Sequence, residues 1–275
     1  MFEKMAAGVK EWIATAEDLA EKVSHHYKRI LPHLARFCLV STFFEDGLRM
    51  WTQWTAHSEF VSLINGCGWF LGTLFVTLNL IGQLGGVAMV LLRIRVNIAC
   101  GLLLGVICLQ TLAYRVMWNM EFLSRNLALV GALLLVLAES YSESKSQFAG
   151  VPSLDEKKPK NYLQLTGRVL LTLMFTTTIK FDTSIFSTLQ NFIGSALMVL
   201  VAIGYKTKLS SLVLVLWLNF LNFYSNAWWS IPSYQHQREW KKYDFFQTLS
   251  VIGGLLMVAS IGPGGVSVDE HKKDW

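Results

Sequence analysis

A succession of apolar runs, each about as long as a bilayer is thick, leaves this chain few folds to choose from. They cover about 33–51, 67–91, 97–115, 122–139, 163–180, 188–204, 209–226 and 244–262, close to the ~20 residues a helix needs to cross a hydrocarbon core. The fold expected is an all-α polytopic membrane protein with about eight transmembrane helices. Charge content agrees: only 16% of residues are charged and 53% are hydrophobic, whereas a soluble domain carries roughly a quarter charged residues.

The first thirty residues form a separate unit. Met5, Val9, Trp12, Ala16, Leu19, Val23 and Ile30 recur at three- and four-residue steps, with charged residues on the other face. That pattern reads as an amphipathic helix over 1–30, lying on a membrane or against a partner. Its mixed charges argue against simple attraction to anionic lipid. Glu3, Glu11, Glu17, Asp18 and Glu21 interrupt any apolar core of a secretory signal, so the first translocated element is expected to be a retained span. Pro32 opens the membrane region.

Basic residues set the orientation. With the N-terminus in the cytosol, the cytosolic segments hold fifteen: Lys4, Lys10, Lys22, Lys28, Arg29, Arg93, Arg95, Lys145, Lys157, Lys158, Lys160, Lys206, Lys208, Lys272 and Lys273. The lumenal segments hold five: Arg115, Lys180, Arg238, Lys241 and Lys242. This bias follows the positive-inside rule and puts both chain ends in the cytosol. The net charge of +5 is thus spread by topology and forms no nucleic-acid patch.

A polar loop over 140–162, with Pro152 and Pro159, divides the membrane region into a first half at 31–139 and a second at 163–262. The halves resemble each other. Gly72, Gly82 and Gly131 align with Gly194, Gly204 and Gly253 at an offset of 122, and Tyr114 and Trp118 align with Tyr224 and Trp228 at 110. Arg36 and Arg168 each open a span, as snorkelling anchors or as structural partners of a duplicated fold. Two parallel four-helix repeats are the expected arrangement. Gly68-x-x-x-Gly72 and Gly101-x-x-x-Gly105 read as close-packing features.

The tail, 263–275, ends in His271-Lys272-Lys273-Asp274-Trp275. Paired lysines at this distance from a terminal carboxylate have the form of a dilysine signal, which returns membrane proteins from the Golgi to the endoplasmic reticulum (ER). They equally satisfy the positive-inside rule. Cys38, Cys67, Cys100 and Cys108 have no metal or redox spacing and read as apolar packing residues. The sequence has no glycosylation sequon. Without metal spacing, triad or phosphate loop, neither an enzyme nor a bound cofactor is expected.

Several strings are specific. Ser41-Thr42-Phe43-Phe44-Glu45-Asp46-Gly47-Leu48-Arg49-Met50-Trp51 resembles the first-span signature of the Surfeit locus protein 4 family. So do Phe148-Ala149-Gly150-Val151-Pro152, Val201 to Leu209, Lys242 to Thr248, and Gly262-Pro263-Gly264-Gly265-Val266-Ser267. The resemblance runs from about Thr15 to Trp275 and is weakest in the amphipathic start and around Gln235–Trp240. It implies a cargo receptor that binds soluble secretory proteins in the ER lumen, partly through their newly exposed N-terminal residues. Such a receptor loads them into COPII carriers at ER exit sites, passes through the ER–Golgi intermediate compartment to the early Golgi, and returns with COPI. Lipoprotein export is associated with the family. The retrieval signal maps onto Lys272 and Lys273.

A cargo N-terminus offers an ammonium, backbone polar groups and apolar side chains. Its site needs carboxylates or carbonyls in a partly dry cavity with aromatic walls. Ionisable groups at membrane depth usually face the interior or a wet cavity. Glu45 and Asp46 are the leading candidates, followed by Asp182, Asp244 and Glu121. Trp51, Tyr114, Trp118, Tyr224, Trp228 and Trp229 are candidate walls, or else an interfacial belt. Glu45 or Asp46 alternatively pairs with Arg49 along the helix. His57 and His236 are the lumenal histidines and the candidates for pH-dependent release. A transporter or lipid scramblase is the main alternative class, and a structural organiser of exit sites another.

Overall fold

The computed structural model describes residues 2–147, 157–178, 185–262, 264–265 and 267–271, and all regular structure among them is helical. Eleven α-helices follow in order: α1 Phe2–His26, α2 Ile30–Thr52, α3 Trp54–Asn65, α4 Gly68–Leu91, α5 Val96–Ala113, α6 Met120–Gln147, α7 Lys157–Thr178, α8 Ile185–Ile203, α9 Thr207–Ser225, α10 Gln237–Ile261 and α11 Val268–His271. Short 3-10 turns at Val116–Trp118 and Trp228–Ser230 precede α6 and α10. Among the described residues, five stretches are long and apolar enough to cross a membrane: Gly68–Leu91, Val96–Ala113, Met120–Tyr141, Thr207–Ser230 and Gln237–Ile261. The other three apolar runs fall on α2, α7 and α8. Of these, α2 carries Arg36, Glu45, Asp46 and Arg49 within its 23 residues, which lowers its hydropathy without shortening it.

One apolar core joins α2, α4, α5, α6, α7, α8, α9 and α10. The helices fall into two sets of four that contact alike. In each set the first packs on the second, the second on the third and the third on the fourth. Across the sets, α2 lies along α10 and α6 along α7. Glycine makes both crossings close. A Cβ on Gly253 would strike the Leu39 nitrogen and lie 2.6 Å from the Ala35 carbonyl oxygen. A Cβ on Gly131 would lie 2.7 Å from the Gly167 carbonyl oxygen. The Ser250 hydroxyl donates to the Leu39 carbonyl at 2.7 Å beside the first crossing. The turns match too: Arg93 and Arg95 after α4, and Gly204 and Lys206 after α8, all have positive φ, which reverses the chain within a few residues.

Two packing expectations need correction. A Cβ added to Gly101 or Gly105 would meet nothing within 4 Å, and the same holds at Gly68, so the close contacts within this chain lie elsewhere. Gly72 is the exception: its missing Cβ would sit 2.5 Å from the Ser58 carbonyl oxygen, letting α3 press on α4. Arg36 does not snorkel. It is buried, and its guanidinium meets Glu139 at 2.7 Å. Desolvation is costly enough that such a charge persists only when paired.

Helices α1 and α11 meet at the α8–α9 turn. Glu17 and Glu21 of α1 pair with Lys206 and Lys208. Asp269 caps α9, accepting from the Lys206 and Thr207 amides at 2.7 and 2.8 Å and from the Thr207 hydroxyl at 2.8 Å. A short acceptor on free N–H groups is how a helix start is normally satisfied.

Candidate binding cavity

At the bundle end away from that turn, the C-terminal half of α2, α3, the mid-part of α4 and the ends of α5, α6 and α10 surround a cavity of about 540 Å³. That volume falls within the usual range for small-ligand sites. Three local features create it. Gly47 lets α4 approach α2, since a Cβ there would lie 3.0 Å from Leu84. Gly72 draws α3 onto α4, where the Ser58 and Thr73 hydroxyls bond at 2.9 Å. Asn65 then ties α3 to the end of α5 through the Ala113 carbonyl at 3.0 Å.

Asp46 is the electrostatic centre. It pairs with Arg49 and accepts from Gln83 Nε2 at 2.5 Å and Gln110 Nε2 at 2.8 Å. Only the amide NH₂ of a glutamine donates to a carboxylate, so this bond fixes the orientation of Gln83. Its Oε1 is left buried without a partner, as are Gln247 Oε1, His57 Nε2 and Arg49 Nε. All four residues line the cavity. These atoms are packed behind the wall, with Gln83 Oε1 turned toward Gly47. The Asp46 carboxylate, half-buried and the acidic group of the lining, favours a ligand that brings N–H donors.

Aromatic rings complete the walls. Tyr114 stacks on Phe60 at 5.8 Å and its hydroxyl meets His57 Nδ1 at 3.1 Å. Trp240 and Tyr243 face Phe122 from α10, and His236 packs edge-on to Trp240 at 6.0 Å. Tyr243 lies between two guanidinium groups, Arg49 at 5.7 Å and Arg125 at 5.8 Å, a favourable placement over a ring face. Burial and the nearby Arg49 lower the pKa of His57 below its ordinary value, because both disfavour an added positive charge.

The cavity thus gathers Asp46, Tyr114, His57 and His236 from the candidates read in the sequence. It does not gather Glu45, which is buried behind the wall against Lys242 at 3.1 Å. Glu121 and Asp244 both engage Arg125, at 2.7 and 2.6 Å, outside the lining. Trp51, Trp118 and Tyr224 are exposed side chains on the outer surface, as expected of an interfacial belt. Trp228 packs on Trp229 under Arg238. Asp182, Lys272 and Lys273 lie outside the described residues. Sequence reading missed Gln83, Gln110 and Gln247, three amides within apolar helices, and missed α3 itself. Its signals were Trp54, Ser58 and Val61 at helical spacing, ended by Asn65-Gly66.

The architecture and cavity define a helical, multi-pass type of membrane protein with a mainly apolar recess, carrying a few polar groups, at one end of its bundle. Residues 10–275 match the model of the SURF4 family, and the chain belongs to that family. It is 60% identical to the Surfeit locus protein 4 homolog of Drosophila melanogaster over 265 residues, covering 96% of this chain and 98% of that protein. It is 34% identical to the ER-derived vesicles protein ERV29 of Saccharomyces cerevisiae, covering 96% and 87%. It is 36% identical to a Surfeit locus protein 4 homolog of Schizosaccharomyces pombe, covering 92% and 85%. No solved structure matches the chain.

Proposed function

We propose that this protein is a cargo receptor for ER export, and that its cavity takes the N-terminus of a soluble secretory protein. One observation carries the reading: the half-buried carboxylate of Asp46 lines an aromatic recess together with Gln83, Gln110 and Gln247. An α-ammonium brings three N–H donors to the Asp46 carboxylate, and the first side chain meets the apolar lining of Phe43, Ile107 and Leu129. The relationship to a protein named for ER-derived vesicles supports the setting.

The wider scheme has eight spans in two parallel four-helix repeats, with both termini cytosolic. The matched crossings at Gly253 and Gly131 support the repeat, and the joint docking of α1 and Asp269 at one turn supports ends on one side. The acidic site belongs to the first repeat alone: at the spacing relating Arg36 to Arg168, Glu45 and Asp46 correspond to Thr177 and Thr178. COPII carriers take the loaded receptor forward, and COPI returns it through Lys272 and Lys273. The candidates for pH-dependent release in this scheme are the two lining histidines, His57 and His236. The protein performs no reaction of its own.

The test is capture of cargo-derived peptides by the purified receptor in nanodiscs, comparing free and acetylated N-termini. Capture only of the free form supports the proposal. Equal capture of both removes it, and lipid exchange between vesicles without any capture favours the scramblase class.

A further inference from the structure

The helix α1 has two faces with different fates. Ala20 and Ser24 are buried against the bundle, at 6% and 9% exposure, on the side that carries Glu17 and Glu21 to Lys206 and Lys208. Beside that face runs an apolar stripe, Trp12, Ala16, Leu19 and Val23, at helical spacing. Its large side chains are open, Trp12 and Leu19 at 80% and 62% and Val23 at 36%, while Ala16 is half-buried. An exposed apolar stripe on a folded helix signals an interaction surface.

The location of α1 says what covers it. It packs on the start of α9, and Thr207–Ser230 is one of the stretches able to cross a membrane. The first residue of that stretch marks the level at which the bundle leaves the bilayer. In the chain, α1 leads through three residues into α2, whose outward face begins with Ile30, Leu34 and Phe37, all exposed. Along the chain, the exposed apolar residues of α1 thus run on into those of the outward face of α2.

We infer that α1 lies in the water–lipid interface at the end of the bundle that carries the α8–α9 turn, with the Trp12–Val23 stripe immersed in lipid. The ion pairs to α9 make this possible as well as fixing it. Residues 2–26 carry three lysines (Lys4, Lys10, Lys22) and five carboxylates (Glu3, Glu11, Glu17, Asp18, Glu21), a net charge of −2. Lys206 and Lys208 cancel Glu17 and Glu21. The docked helix is then neutral, so an anionic leaflet neither repels nor attracts it, and apolar burial alone drives immersion.

The test uses the full chain in vesicles, with the four native cysteines replaced by alanine and thermal unfolding checked. Nitroxide labels are placed singly by Trp12→Cys, Leu19→Cys and Val23→Cys on the stripe, and by Asp18→Cys and Lys22→Cys on the polar face. Collision with oxygen should exceed collision with a water-soluble nickel chelate at the first three and fall below it at the last two. The pattern should be the same in pure phosphatidylcholine and with added phosphatidylserine. Nickel access along the stripe overturns the inference, and so does spin–spin broadening, which would indicate a second copy. In the double variant Lys206→Glu, Lys208→Glu, added phosphatidylserine should reduce immersion. Immersion of that variant unaffected by phosphatidylserine would overturn the neutralising role of the pairs.

Discussion

Asp46→Asn isolates the charge at the centre of the cavity while keeping its shape. The wild-type carboxylate is 15% exposed, so solvent screens little of its field. An ammonium bound there gains a charge-assisted hydrogen bond, worth about 1.5–3 kcal/mol. At 1.4 kcal/mol per decade, the variant should bind a free-amine peptide roughly 10- to 150-fold more weakly. Stability must be followed in parallel, because Arg49 loses its ion-pair partner, and Gln83 and Gln110, which both donate to Asp46 Oδ2, lose that acceptor together when the new amide nitrogen takes its place. The assay is a cycle: wild type and Asp46→Asn, each titrated with free and N-acetylated peptide. Acetylation removes the ligand's charge as the substitution removes the site's. The two changes should therefore be strongly non-additive, the second costing little once the first is made. Independent, additive losses would refute the idea that the two groups meet.

Gly253→Ala should destabilise the protein by about 1–3 kcal/mol, the usual cost of overpacking, because its methyl would strike α2 backbone. Gly101→Ala and Gly105→Ala, with open space at both positions, should melt no lower than wild type; thermal unfolding in one detergent compares them. Arg36→Leu should cost about 3–5 kcal/mol by breaking the buried ion pair with Glu139, and Arg36→Leu with Glu139→Leu should cost less, by the same assay. His57 gives a pH signature. Its folded pKa is lowered, so the unfolded chain binds more protons between that value and ~6.5, and stability must rise with pH across that window. His57→Gln should flatten that part of the pH–stability curve.

How legible was this in the sequence? The long apolar helices were, because length and hydropathy alone decide them. So was Asp46, since a carboxylate deep in an apolar run has few inexpensive places to point. Its neighbour Glu45 looked equivalent in sequence, but one residue is about 100° around a helix. That rotation sends Asp46 into the recess and Glu45 toward Lys242. The glutamines escaped notice because an isolated amide in an apolar run gives no periodic signal. Their importance depends on three helices meeting at one carboxylate. The glycine pairs were misjudged for a related reason. Four-residue spacing shows which glycines share a face, but only the fold decides whether another helix lies against it.

The most direct test places a photoreactive group on the first residue of a bound cargo peptide and maps the crosslinks by mass spectrometry. Adducts confined to the recess, on residues such as Phe60, Tyr114, Phe122 and Trp240, are the predicted result. Adducts at the opposite end of the bundle, or spread over the outer aromatic belt at Trp51, Trp118 and Tyr224, would contradict the account.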